Sequence, residues 1–263
     1  MLAIFFIFGL IIGSFLNVVV YRINLAETLM GRSYCPKCKK QIRWYDNIPV
    51  ISFILLKFKC RDCKTKISWL YPIVELGTGI VFALLSLKFF VLNDTSTWFI
   101  TFYYLAVVSA LIVILVYDFL YMEIPTIVLW TGIVFAIFCN LLIDWQGTSF
   151  VGNLLSSLTY SGALAAFVAF TFFFLLSFLS KEKWMGMGDV YLVILLGLIL
   201  GWPEILLGLF LAFAIGAIYG IILITLKQKE MSSQVPFAPF LVLGTIITIF
   251  CYNPITNWYL SFF

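Results

Sequence analysis

The chain has 263 residues, of which 63% are hydrophobic and 11% charged, with a formal net charge of +4. So much apolar surface excludes a soluble domain of this size, and runs of roughly 20 apolar residues match the roughly 30 Å hydrocarbon core of a bilayer. There is no histidine, so a histidine-based triad and a histidine-ligated metal are excluded. The chain reads as an all-α, polytopic membrane protein, because the alternating pattern of a membrane barrel is absent.

Eight spans are predicted, near residues 2–20, 72–92, 98–117, 125–143, 152–179, 190–201, 204–226 and 237–260. Met1 to Val20 is apolar with no Lys or Arg before it. A secretory signal would carry a basic leading region and a small-residue cleavage site, so the stretch reads as a retained first span. The sixth and seventh spans form one apolar stretch, divided at Gly201-Trp202-Pro203-Glu204 because proline removes a backbone donor and often starts a helix. Three parts follow: a first span at 1–20, a polar loop at 21–71 and a membrane core at 72–263.

Lys and Arg set the orientation. Eleven lie in the first loop, Lys181 and Lys183 precede the sixth span, and Lys227 and Lys229 precede the last. With eight spans and the N-terminus outside, these fifteen face the cytoplasm and only Lys88 faces outward.

The loop carries Cys35-Pro36-Lys37-Cys38 and Cys60-Arg61-Asp62-Cys63. Two Cys-x-x-Cys pairs separated by 21 residues fit a four-thiolate zinc site, since each short knuckle presents two sulfurs to one metal. Disulfides are the competing reading, and they rarely persist in the reducing cytoplasm. Four thiolates leave no open position, so the zinc is expected to be structural, and metal binding can supply folding free energy to a short polar loop. Cys139 and Cys251 fall in apolar spans and read as packing residues.

Asp118 ends the third span, in Tyr117-Asp118-Phe119-Leu120-Tyr121-Met122-Glu123-Ile124-Pro125. A carboxylate at a helix C-terminus opposes the macrodipole, so capping does not explain it; a solvated surface position would. Asp189 closes Gly186-Met187-Gly188-Asp189, just before the uncharged run Val190 to Leu200. The glycines allow a sharp bend and a close approach. An acid at that depth marks a functional site by default, although Asp is also a favoured N-cap. Topology places both aspartates on one side of the membrane, at the ends of different spans. Two neighbouring carboxylates cannot both ionise easily, so the pair shares a proton, one acting as base on a water and the other as acid. That is aspartyl-protease chemistry. Glu75, near the start of the second span, is the main rival; Glu123 reads as interfacial, and Asp94 and Asp144 fall on the outer side.

These residues, with others in order along the chain, resemble the bacterial prepilin leader peptidases and N-methyltransferases, a family of GxGD aspartic proteases. The opening Gly13-Ser14-Phe15-Leu16-Asn17, the cysteine tetrad, Asp46-Asn47-Ile48-Pro49 and Tyr71-Pro72-Ile73-Val74-Glu75 carry the resemblance. So do Asp118 with Ile124-Pro125, Gly186 to Asp189, and the closing Pro236-Phe237-Ala238-Pro239-Phe240. Three positions depart from the family pattern: Tyr191 stands where Lys is usual, Thr126 where Asp is common, and Ala238 where Gly is usual.

The resemblance implies a multi-pass protein of the bacterial inner membrane that cleaves type IV pilin-like precursors after a Gly on the cytoplasmic side. It also implies methylation of the new N-terminus with S-adenosylmethionine, for which the sequence has no Gly-x-Gly-x-x-Gly turn of its own. Asn17 and Arg22 would line the methyl-transfer region, or serve as a helix-end polar residue and a topogenic Arg. Glu75 would contact substrate or cofactor, or pair with a basic loop residue. The expected partners are the precursors and the lipid bilayer, with no nucleic acid. The competing functions are a protease without methyl transfer, and a non-catalytic scaffold or transporter with a zinc docking loop. A transporter would set its charges near the bilayer midplane rather than at one boundary.

Overall fold

A computed structural model describes residues 1–92, 94–146, 157–183, 185–226 and 236–261. The chain divides into two compact units, Met1–Val113 and Ile114–Phe263. Among the described residues there is no strand, only two isolated antiparallel bridges in the first loop.

The first unit holds α1 (Leu2–Asn24), a 3-10 turn (Trp44–Asn47), the short α2 (Ile51–Leu55), α3 (Leu70–Phe89) and the first part of α4 (Thr95–Tyr121). Helices in lipid associate through close packing, for which small residues are suited. α1 and α3 are antiparallel and touch through Gly9 and Gly13. A Cβ at Gly9 would lie 2.7 Å from the Gly79 Cα, and one at Gly13 2.8 Å from the Glu75 Cα. This crossing brings the loop-bearing ends of the two helices together, where Asn17 Nδ2 donates to the Tyr71 carbonyl at 3.2 Å.

The second unit continues α4 and adds α5 (Thr126–Gln146), α6 (Leu158–Ser180), α7 (Met187–Leu200), α8 (Glu204–Thr225) and α9 (Ala238–Leu260). Among the described residues, seven helices are long and apolar enough to cross a membrane. The sixth predicted span differs: α7 has 14 residues, about 21 Å at 1.5 Å per residue, short of the hydrocarbon core. It is apolar on every side, and a helix apolar all round is a buried one. Val190, Leu192, Val193 and Leu195 to Leu200 are all buried, and α5, α6, α8 and α9 pack around it. Its solvent is protein rather than lipid, so its non-helical ends are tolerated at depth.

Several contacts hold α7 in place. A Cβ at Gly197 would lie 2.4 Å from the Ala166 backbone nitrogen, so α6 and α7 approach backbone to backbone. Asn140 Nδ2 donates to the Leu198 carbonyl at 2.9 Å, and Ser161 Oγ accepts the Trp202 N–H at 2.8 Å. Asp144, predicted on the outer side, is buried as a cap supplied by α5 to α6. It accepts the N–H groups of Leu158 and Thr159 at 2.9 and 2.8 Å, while Ser157 takes that of Tyr160. Three orphan donors of that helix start are thereby satisfied. The predicted start of the fifth span at 152 and the basic pair Lys227 and Lys229 lie outside the described residues.

Candidate active site

α4 runs one turn beyond its predicted end, so Asp118 lies in its last turn. The helix stops at Met122, a residue with φ of 55° whose N–H donates to the Asp118 carbonyl at 2.8 Å. The Asp118 side chain is buried. One carboxylate oxygen accepts the backbone N–H of Ala238, at the start of α9. The other, Oδ2, has no hydrogen-bond partner among the described residues. A buried acceptor without a partner is costly and calls for a proton or a water.

Asp189 sits in the first turn of α7. The N-cap is Gly186, without a side-chain cap, so Asp189 is not the N-cap that its position in sequence allowed. Its own N–H donates to the Gly186 carbonyl at 3.2 Å, and the helix N-terminus favours a negative charge there. It lies close enough to Asp118 for the two charges to interact. The two glycines of this turn differ. A Cβ on Gly188 would come within 3.2 Å of Ile124 Cδ1, so Gly188 admits the Ile124-Pro125 segment against the turn. Gly186 has an ordinary φ of −75° and open space around it. Tyr191 packs against Trp130 with centroids 5.8 Å apart and the rings tilted by 43°. Glu123 is exposed one residue after the helix stop.

The cysteine loop forms a second site within the first unit. The four Sγ atoms of Cys35, Cys38, Cys60 and Cys63 lie within 4.8 Å of one another, and Cys35 and Cys63 are 3.8 Å apart. Sulfurs about 2.3 Å from one zinc in a tetrahedron stand about 3.8 Å apart, so this donor set could hold a metal ion. All four are free thiols. Hydrogen bonding by Thr65, side chain first and backbone second, pulls the Cys63 thiol down to about 6, toward the thiolate that binds metal.

The two knuckles are copies of one another. Cys35 N–H donates to Lys40 and Lys39 N–H returns to Cys35; Cys60 pairs in the same way with Thr65 and Lys64. Lys39 and Lys64 both take positive φ, at 57° and 60°. The bridge Tyr34–Gln41 repeats as Lys59–Lys66. The signal is present in the sequence as Cys-Pro-Lys-Cys-Lys-Lys-Gln-Ile against Cys-Arg-Asp-Cys-Lys-Thr-Lys-Ile.

Between the knuckles and the ends of α1 and α3 lies a cavity of about 400 Å³. Asn17, Tyr21, Arg43, Asp46, Tyr71 and Glu75 line it, and the inner face of α2 walls it. Arg61 holds Asp46 with two hydrogen bonds of 2.8 and 2.6 Å, and this keeps the Asp46 carboxyl below the usual range. Glu75 is buried and accepts the Val50 N–H at 2.8 Å. Val50 has φ 60° and ψ −48°, with the Ile51 N–H turned back to the Pro49 carbonyl. That is a γ-turn of the rare, strained hand, and a genuine outlier for a β-branched residue. Arg22 is also buried. Its guanidinium donates to the carbonyls of Thr28, Met30, Gly31 and Arg32 at 2.9 to 3.3 Å, so it organises the loop backbone.

Residues 7–89 match the bacterial peptidase A24 N-terminal domain, and residues 105–221 match the type IV leader peptidase family. The chain is 31% identical to a prepilin leader peptidase/N-methyltransferase of Aeromonas salmonicida (strain A449), with 97% of this chain and 92% of the relative covered. The chain belongs to the type IV leader peptidase family. It is 31% identical to the Bacillus subtilis (strain 168) prepilin leader peptidase/N-methyltransferase over 99% of this chain and 98% of that one. It is 35% identical to a type 4 prepilin-like proteins leader peptide-processing enzyme of Escherichia coli O78:H11, over 92% and 91%. No solved structure matches. The protein is a multi-pass membrane peptidase of this family. Ala238 is the site residue that the sequence reading left without a role. Its contribution is a backbone N–H, which an alanine supplies as well as a glycine does.

Proposed function

We propose that this peptidase cleaves the leader from type IV prepilin-like precursors with Asp118 and Asp189 as its catalytic pair, and then methylates the new N-terminus. The observation that carries the first half is the pairing of two carboxylates at helix ends, one of them with a buried oxygen lacking a partner among the described residues. The pair shares one proton. The ionised carboxylate takes a proton from a water, whose oxygen bonds to the scissile carbonyl carbon. The protonated carboxyl donates to the carbonyl oxygen. On collapse the C–N bond breaks and the departing amine takes a proton from the pair. The Ala238 N–H fixes Asp118 throughout. The distribution of Lys and Arg supports a pair facing the cytoplasm of a bacterial inner membrane.

The second half rests on the cavity, whose volume falls in the range of small-molecule sites. When bound there, S-adenosylmethionine would supply a methyl group on a sulfonium. Glu75 and the tyrosine faces suit a cation, Asn17 offers an amide, and Arg43 suits a carboxylate. Arg22 acts on the loop rather than on the ligand. Zinc in the thiolate cluster is structural and holds the cavity wall.

The test is incubation of purified protein with a prepilin and S-adenosylmethionine, read by product mass. Wild type should give cleaved, methylated product. Asp118→Asn, Asp189→Asn and the double mutant should be equally inactive in cleavage, because residues acting as a unit are non-additive. A folded Asp118→Asn protein that cleaves at near the wild-type rate would refute the pair and point to Glu123.

A further inference from the structure

α2 has two faces of opposite fate. Ser52 and Phe53 are buried and, with Leu56, wall the cavity. Ile51, Ile54 and Leu55 are exposed, Leu55 by 75%. Leaving three large aliphatic side chains together in water is unfavourable, and such patches mark interaction surfaces. The patch continues toward α3. Phe58 follows α2 and packs on Trp69 at 5.0 Å between centroids, and Phe53 packs on both rings. Trp69 is 61% exposed and leads directly into α3. From there Ile73, Leu76, Ile80, Leu84 and Leu87 are all exposed, at helical spacing along a spanning helix. A stripe of this kind on a helix long enough to span suits lipid, and the exposed face of α2 leads toward it through Phe58 and Trp69.

Charge identifies the occupant. Val50 to Lys59 contains no acid, and exposed Lys57 and Lys59 close the segment. Apolar side chains beside lysines, with a Trp at the boundary, fit the interface of an anionic leaflet. We propose that α2 is an interfacial helix whose Ile51, Ile54 and Leu55 enter the acyl boundary while Lys57 and Lys59 rest on anionic phospholipid headgroups. The cavity wall is thereby held at headgroup depth. The terminal amine of a membrane-embedded helix would meet the cavity without leaving the bilayer. The lipid contact itself does not depend on the methyl-transfer reading.

The test places a photoreactive p-benzoylphenylalanine at position 55, or at exposed position 64 in the second knuckle, of the full-length, metal-loaded protein. Each is reconstituted in nanodiscs of phosphatidylcholine and phosphatidylglycerol, illuminated and weighed intact. Position 55 should gain one phospholipid mass in several-fold higher yield than position 64. Lys57→Gln with Lys59→Gln should lower the phosphatidylglycerol share of that adduct several-fold. Leu55 is exposed, so the substitution spares the fold. Equal yields at the two positions, cross-linking to a second copy of the chain, or no lipid adduct from folded protein would each overturn the proposal.

Discussion

Replacing Glu75 by Ala tests whether this acid acts by holding the cavity wall. Two quantities oppose each other at Val50. A hydrogen bond to a charged acceptor contributes about 1.5–3 kcal/mol, and the Glu75–Val50 bond is short and largely out of water. A non-glycine residue held at positive φ costs about 1–3 kcal/mol. The bond and the strain are of similar size, so without Glu75 the turn should open. A loss of about 2 kcal/mol corresponds to roughly thirty-fold faster amide exchange. Exchange measured on a peptide covering residues 48–56 should show it, methyl transfer should fall, and prepilin cleavage should persist. Val50→Gly in the Glu75→Ala background removes the strain at a cost of about 0.5–1 kcal/mol in chain entropy. The net gain of about 1 kcal/mol should restore protection about five-fold. If the double mutant exchanges as fast as Glu75→Ala, or if Glu75→Ala leaves the segment unchanged, the strained-turn reasoning is wrong.

Three further outcomes are expected. Cys35→Ser should release the metal, about one zinc per chain in wild type by metal analysis, and should reduce methyl transfer while sparing cleavage. Asp144→Ala should strand the N–H groups of Leu158 and Thr159 and destabilise the protein by roughly 2–4 kcal/mol in detergent denaturation, with Asp144→Asn recovering part of this. Because Arg61 lowers the Asp46 carboxyl in the folded loop, the advantage of wild type over Asp46→Asn should be full above the ordinary aspartate range and vanish as pH falls through the lowered value. Limited proteolysis of the loop against pH reads this directly.

The apolar runs made the fold class legible, and the few acids among them singled out the two proposed aspartates, because a carboxylate beside hydrocarbon stands out in composition. Enclosure of α7 was not legible: Val190 to Leu200 reads the same whether its surroundings are lipid or protein. Nor was the Ala238 contact to Asp118, since a backbone N–H has no signature in the side chain that bears it. Arg22 was read as topogenic or as part of the methyl-transfer region, yet four carbonyls of its own loop take its guanidinium. Those partners are fixed by local chain folding that residue types do not encode. Asp144 was read only by its expected side of the membrane, and its capping of α6 depends on a helix contact that only the packed unit reveals.

The twin knuckles divide the labour of the loop. Each supplies two sulfurs, so neither half completes a metal site alone, and the 21 residues between Cys38 and Cys60 are tied at both ends. That intervening segment contains the cavity wall and α2. Once its ends are pinned, doubling its length costs only about 0.6 kcal/mol of closure entropy. The segment can therefore be lengthened or rebuilt between fixed anchors. A graft of altered length should still load metal while changing which N-terminal residues the cavity admits.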